Sequence, residues 1–271
     1  MMRQLIFRNK NIFYRVAGSG APLVLAHGFA EDHDIWKYQV KQLAKKFLVI
    51  TPDLPGSGQS EMMDGEASIE DYAEFIKEIY ENECGNKKKF TLIGHSLGGY
   101  IALAFAEKYP ELLNGIGLFH STAYADDDAK KEARKKGIEF IKNNGVELFT
   151  RSTTPNLFSD KTKNNKSRLV ENLIEQYKNF SAASLVQYYH AMMKRPDRTA
   201  VLQSFKKPVL FIIGKGDNII PLAAGLQQSA LPSISLISIL PNAGHMGMWE
   251  AKTASAEILA RFCTECNLYS R

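Results

Sequence analysis

The sequence predicts an α/β protein: a mainly parallel β-sheet with helices on both faces, interrupted once by a helical insertion. Three observations carry this reading. Short, continuously apolar runs alternate with helical patterns over the first 120 residues. The alternation breaks between Thr122 and Ala200, where charged helical stretches run without a convincing apolar strand, and it resumes at Pro208. A strand covered by helices on both faces reads as an unbroken apolar run, whereas a sheet open on one face alternates.

The elements follow in order. Leu5–Phe7 and Ile12–Val16 flank Asn9-Lys10-Asn11, a turn-like junction that predicts a β-hairpin. Pro22–Ala26, Phe47–Ile50, Phe90–Ile93 and Ile116–Phe119 are the buried strands. Between them Ile69, Tyr72, Ala73, Ile76, Ile79 and Tyr80 recur at helical spacing behind a Ser68-x-x-Asp71 cap. Leu97 to Tyr109 is a further helix, ended by Pro110. The interrupting segment carries Asp126-Asp127-Asp128, a polar loop from Ser159 to Ser167, and the punctuation Lys194-Arg195-Pro196-Asp197. Strand Pro208–Ile213, a helix after Pro221, strand Ile234–Leu240 and a last helix from about Glu250 complete the pattern. The expected division is one core, residues 1–121 and 201–271, with a helical lid at 122–200.

Composition narrows the class. At 271 residues, 45% hydrophobic and 23% charged, the chain has the mix of an ordinary globular protein and is long enough to bury a full core. No apolar run approaches the ~20 residues of a membrane span, and the first residues lack the apolar stretch of a secretory signal, so a cytoplasmic location is expected. The net charge of +5 is local: residues 122–200 hold fifteen Lys and Arg against ten Asp and Glu, and the remainder is neutral. A solvated helix face accounts for that excess, and no nucleic-acid-binding motif accompanies it. Cys84 stands alone, and the Cys263-Thr-Glu-Cys266 pair is too small for a structural zinc site and sits at the end of a helical stretch. The cysteines are therefore read as thiols of a reducing compartment.

The most informative stretch is Ile93-Gly94-His95-Ser96-Leu97-Gly98-Gly99. A Gly-x-Ser-x-Gly motif between an apolar strand and a helix is the context of a nucleophile elbow, in which a sharp turn presents the serine hydroxyl at the top of the sheet. Bulky neighbours at Gly94 and Gly98 would collide with the chain. The backbone N–H of Leu97, at the start of the following helix, points where an oxyanion would form. A serine needs a base and the base an orienting acid, in the chain order Ser, Asp or Glu, His. Asp217, in Gly214-Lys215-Gly216-Asp217 after an apolar strand, and His245, in Asn242-Ala243-Gly244-His245 after the last strand, meet that order. Should Asp217 merely cap the next helix, Asp126 is the substitute acid. His27, in Ala26-His27-Gly28-Phe29, is expected to hold its loop so that the Phe29 N–H supplies the second oxyanion donor. His95 is expected to pack under the nucleophile, and His33, His120 and His190 carry no motif. No histidine–carboxylate group has metal-ligand spacing, and the glycine turns match neither dinucleotide nor P-loop fingerprints, so no metal and no cofactor are expected.

Taken together, His27-Gly28-Phe29, Asp53-Leu54-Pro55-Gly56-Ser57-Gly58-Gln59-Ser60, Gly94–Gly99, Gly214–Asp217 and Gly244-His245-Met246 make the chain resemble the α/β-hydrolase superfamily over essentially its whole length. The resemblance implies a mostly parallel eight-stranded sheet and a helical cap over the site at 122–200. It implies Ser96, Asp217 and His245 as the triad, with Phe29 and Leu97 as oxyanion donors. Serine at position 96 argues against the dehalogenase and epoxide hydrolase branches, which use an aspartate there. Carboxylesterases of the pimeloyl-carrier methyl ester type, proline iminopeptidases and C–C bond hydrolases are closer in pattern.

The leading reading is a carboxylic-ester hydrolase acting on small to medium acyl groups. The same triad acting on an amide, thioester or activated C–C bond stays open, as does a slow-turnover ligand receptor on the same fold. Trp36 and Met246 are the pocket candidates, being near the oxyanion loop and the histidine in sequence. Phe140, Phe149, Phe158, Tyr188, Tyr189, Met192 and Met193 divide between the pocket and the lid's own core. The expected partner is a small-molecule ester, with acidic or carrier-linked esters compatible with the basic lid; neither nucleic acid nor a membrane is expected, and monomer and dimer are both open.

Overall fold

The computed structural model describes residues 1–85 and 88–269, so residues 86, 87, 270 and 271 of the expected core lie outside the described residues. Eight strands form one sheet: β1 (Met2–Phe7), β2 (Lys10–Ala17), β3 (Ala21–Ala26), β4 (Phe47–Pro52), β5 (Phe90–His95), β6 (Leu113–Phe119), β7 (Val209–Gly214) and β8 (Ser235–Leu240). Their spatial order is β1-β2-β4-β3-β5-β6-β7-β8, with β2 antiparallel to both neighbours and every other pairing parallel. The hairpin turns at Arg8-Asn9 rather than over Asn9–Asn11: both residues have positive φ, +49° and +63°, the two-residue turn whose twist matches paired strands.

The apolar runs are continuous because successive side chains enter two different cores. Val24 and Ala26 of β3 pack on one face, while Leu23 and Leu25 pack on the other. Helices α2 (Ile69–Cys84) and α3 (Leu97–Lys108) cover the first face, and α1 (Lys37–Leu43) with α11 (Lys252–Tyr269) cover the second. The expected capping box at the start of α2 is formed: Ser68 Oγ accepts from Asp71 N, and the Asp71 carboxylate accepts from Ser68 N. Such a box contributes about 1 kcal/mol, against about 1.5–3 kcal/mol for each of the larger apolar side chains α2 buries, Phe75, Ile76 and Ile79 among them. Packing therefore decides the helix and the cap decides where it begins.

Between β6 and β7 every regular element is helical: α4 (Asp128–Thr153, broken at Gly145), α5 (Asp160–Asn165), α6 (Ser167–Tyr177), α7 (Ala182–Lys194) and α8 (Thr199–Ser204). After β7 come α9 (Leu222–Ser229), then α10 (Gly247–Glu250) directly before α11. Among the described residues no helix is long and apolar enough to cross a membrane. The parallel strands deliver His27, Ser96, His120, Asp217 and His245 into the loops at their C-terminal ends, the edge at which open α/β sheets collect their ligands.

Candidate active site

Ser96 sits between β5 and α3 with φ +49° and ψ −112°, a conformation a non-glycine residue adopts only when its surroundings impose it. Three hydrogen bonds do so: Ser96 N donates to Phe119 O (3.0 Å), and the Ser96 carbonyl accepts from Gly99 N (2.9 Å) and Ser121 Oγ (2.7 Å). The expected glycine requirement is met. A Cβ on Gly94 would stand 2.0 Å from Gly98 O, and one on Gly98 2.5 Å from Ala26 O. Neither the Leu97 N–H nor the Phe29 N–H has a protein acceptor among the described residues.

His245 and Asp217 meet as the chain order required. His245 Nδ1 donates to Asp217 Oδ2 at 2.9 Å, and both side chains are buried. The other carboxylate oxygen accepts from Ile219 N (2.8 Å) and Ile220 N (2.9 Å). Burial opposes the Asp217 charge, yet His245 and His120 together hold its carboxyl well below the usual range. Burial also works against a charged His245, but the Asp217 charge and hydrogen bond outweigh it and raise the ring above the ordinary histidine value.

His120 is the residue that sequence reasoning passed over. Its Nδ1 lies 3.2 Å from Asp217 Oδ2 and its Nε2 3.2 Å from Gly247 N. With the proton on Nδ1 the ring donates to the carboxylate and accepts from Gly247; the other tautomer would set a lone pair against an anion. Gly214 N–H also approaches Nδ1 (3.2 Å), a contact that this tautomer leaves unmade. Burial pushes the His120 pKa down to about 4, so the ring is neutral at pH 7. The local spacing that suggested no histidine–carboxylate cluster is thus overridden by the fold: ligand atoms of His120, Asp217 and His245 all lie within 4.8 Å of one another. Direct hydrogen bonds already engage them.

The loop after β3, from His27 to Glu31, has its own supports. His27 Nδ1 donates to Gly28 O (2.8 Å), and its Nε2 accepts from Leu54 N (3.0 Å), so it ties its own loop to the loop after β4. Glu31, unremarked in the sequence, accepts from Gly28 N (2.6 Å) and from His95 Nδ1 (2.9 Å). His95 Nε2 in turn reaches the His245 carbonyl at 3.0 Å. His95, next to Ser96 in the chain, therefore links the Gly28–Glu31 loop to the loop of His245. Burial would raise the Glu31 pKa, but His95 beside it brings it below the usual value.

A cavity of about 270 Å³ opens over Ser96 and His245. Eleven of its nineteen lining residues come from the segment between β6 and β7, so that segment is its roof. Phe149, Tyr189 and Met192 line it as the sequence allowed, and Phe29 stacks on Tyr189 with centroids 4.4 Å apart. Phe158 and Tyr188 are fully buried in the cores. The roof is pinned to the histidine loop, because His245 N donates to Leu157 O (2.7 Å) and Glu250 accepts from both Gly244 N and Ser159 Oγ (2.7 Å each).

Three expectations need correction. Trp36 and Met246 do not line the cavity; both are fully buried in the core beneath the sheet. Trp36 stands edge-on to Phe119 (5.4 Å) and His95 (6.4 Å), because the short helix at His33–Trp36 turns its apolar side inward. Asp126 is no substitute acid, since its carboxylate is taken by Arg134 and Arg195. Replacing Trp36 with Ala is accordingly expected to cost about 3–5 kcal/mol of stability, read as a fall in denaturation midpoint. Because the buried Trp36 Nε1 has no partner, Trp36→Phe should cost much less. A shifted acyl-length preference without loss of stability would return Trp36 to the pocket.

Comparisons with known proteins support the fold. A family model described as the alpha/beta hydrolase fold matches residues 21–252. An uncharacterized Mycobacterium tuberculosis protein is 33% identical over 114 residues, 42% of this chain and 33% of its own length; the chain thus spans about a third of that relative. The pimeloyl-[acyl-carrier protein] methyl ester esterase of Wigglesworthia glossinidia brevipalpis is 29% identical over 247 residues, covering 87% of this chain and 91% of its own. A malate-bound thermophilic esterase from Thermogutta terrifontis superposes with a TM-score of 0.91 at 27% identity, covering 98% of this chain and 99% of that one. With the sheet order, the elbow and a family match over most of its length, this chain belongs to the α/β-hydrolase fold family.

Proposed function

We propose that this protein is a serine hydrolase that cleaves carboxylic esters of small to medium acyl groups through an acyl-enzyme on Ser96. One observation carries the reading: a serine held on a strained turn shares a cavity with a histidine whose Nδ1 is committed to a buried carboxylate. That commitment leaves Nε2 to serve Ser96. His245 takes the Ser96 proton as Oγ attacks the ester carbonyl, and Asp217 holds the ring in the required tautomer. The Phe29 and Leu97 N–H groups receive the oxyanion, each worth about 3 kcal/mol at the transition state. His245 then returns the proton to the departing alcohol, and water attacks the acyl-enzyme with the same histidine as base. Residues 122–200 act as a lid that forms the acyl pocket and excludes water. Two similar proteins are named as esterases, which supports an ester as the substrate.

The test is hydrolysis of p-nitrophenyl esters from acetate to decanoate across pH 5–9. The base must be neutral, and its pKa is raised, so kcat/KM should fall as the pH drops through a midpoint above the ordinary histidine value of about 6.5. The chain-length optimum should lie among the shorter acyl groups, given the size of the cavity. No turnover of any ester would overturn the reading.

A further inference from the structure

The cavity wall holds one cation that the chemistry at Ser96 does not use. Arg134, on α4, lines the cavity together with Tyr100, Tyr189 and Met192. Its Nε and Nη2 donate to Asp126 at 2.5 and 3.2 Å. Asp126 is shared, because Arg195 Nη1 lies 2.9 Å from its Oδ1. Two guanidinium groups thus divide one buried carboxylate, and the cluster keeps a formal charge of +1.

The excess charge is not on Arg195. That side chain is buried, donates to Met192 O (2.7 Å) and Tyr124 O (2.9 Å), and lies 3.8 Å over the Tyr100 ring. Arg134 is different: its side chain is 19% exposed, and its bond to Asp126 is side-on. A side-on pair through Nε and Nη2 leaves the Nη1–Nη2 edge of the fork open, the edge that binds a second carboxylate end-on. The other charged groups in the wall are already served. Glu31 is paired with His95, and His245 with Asp217. Elsewhere the lining is dominated by Phe29, Phe149, Tyr189, Met192 and Leu173. A guanidinium that shares its carboxylate with a second cation and keeps one edge of its fork free at a mainly apolar cavity is placed to take a second anion.

We propose that Arg134 is the specificity-determining residue of the acyl pocket, and that the substrate is the monoester of a dicarboxylic acid whose free carboxylate binds its open edge. The inference rests on the esterase reading above and names its substrate class. Tyr100, one helical turn beyond Ser96 on α3, lies beside the Arg134–Arg195 cluster. Ser96 and Arg134 line the same cavity of about 270 Å³, so an acyl chain seated in it runs between nucleophile and cation.

The experiment compares the monoethyl esters of succinic, glutaric, adipic and pimelic acids with the ethyl esters of the monocarboxylic acids of equal length, by pH-stat. Expected for the wild type is a kcat/KM ratio favouring the half-ester by about tenfold or more at one chain length in the series. In Arg134→Gln that ratio should fall to about one or below, and Arg134→Lys, a point charge without the fork, should lie between. A wild-type ratio at or below one at every length, or an unchanged ratio in Arg134→Gln, overturns the proposal. If Arg134→Gln fails to fold, the Lys variant decides it: an undiminished ratio there overturns the fork geometry. Binding of free glutarate and adipate by calorimetry to wild type and Arg134→Gln separates the two readings. Neutral esters cleaved but no dicarboxylate bound by the wild type defeats this inference alone. No ester cleaved while dicarboxylates bind through Arg134 defeats the esterase reading and leaves the anion site standing.

Discussion

Replacing Ser96 with Ala is expected to lower kcat on any ester that the wild type cleaves by about 10⁵-fold or more, because removing a nucleophile disables the whole triad rather than one part of it. Stability should hardly change. Ser96 Oγ makes no capping hydrogen bond to α3, and the bonds that hold the strained turn run through backbone atoms and Ser121 Oγ, all of which Ala preserves. A denaturation midpoint equal to or slightly above that of the wild type is the expected outcome, since strained functional positions are a common source of lost stability. Two measurements check this: initial rates at saturating ester, and thermal unfolding. A variant that keeps rates within a hundredfold of wild type would place the nucleophile elsewhere.

Asp217→Asn should cost about 10⁴-fold in kcat, the size of effect seen where an orienting carboxylate in such a triad becomes an amide. The loss has a specific cause here. Oδ1 would keep its bonds from Ile219 and Ile220, so the new NH₂ would stand where Oδ2 is, facing both His245 and His120. Each ring must then offer a lone pair, and the His245 proton moves to Nε2, the atom needed as the base. The variant should also lose the raised acid limb, because the charge that raises the His245 pKa is gone. His120→Phe removes only one of the four donors to Asp217, so a loss of about ten- to a hundredfold is expected, about the value of one hydrogen bond to a charged group. The kcat–pH profiles of the two variants decide the matter. An Asp217→Asn enzyme within tenfold of wild type would refute the assignment, and Asp126 could not replace it, being held by Arg134 and Arg195.

Much of this site was legible before folding. Apolar runs identified β3, β4, β5, β6 and β7 to within a few residues, because a strand buried on both faces is apolar along most of its length. The Gly-x-Ser-x-Gly turn carried its geometry in its own residues. Gly94 and Gly98 are required by backbone atoms a few angstroms away, and the turn leaves no room for a side chain. Asp217 and His245 were legible because each follows a strand directly, and strand ends in a parallel sheet share one edge.

What the tertiary structure alone decided is which side chains from separate loops touch. His120 follows β6 even more directly than His245 follows β8, yet only the closeness of the β6 and β7 ends sets it against Asp217. Glu31 and His95 lie 64 residues apart and meet because β3 and β5 are neighbours. Trp36 and Met246 lie near the site in sequence but are fully buried in the core rather than in the cavity wall. The direction a loop takes after leaving its strand depends on what it packs against, and no local pattern encodes that. Arg134 belongs with them: in the sequence it is one basic residue in a charged helix, and the shared Asp126 that turns it toward an anion comes from the loop before that helix. Local sequence determined the backbone and the reacting groups, because sterics and hydrogen bonds within a few residues act on those. Charge balance and pocket shape belong to the fold, because they arise only where distant segments exclude water together.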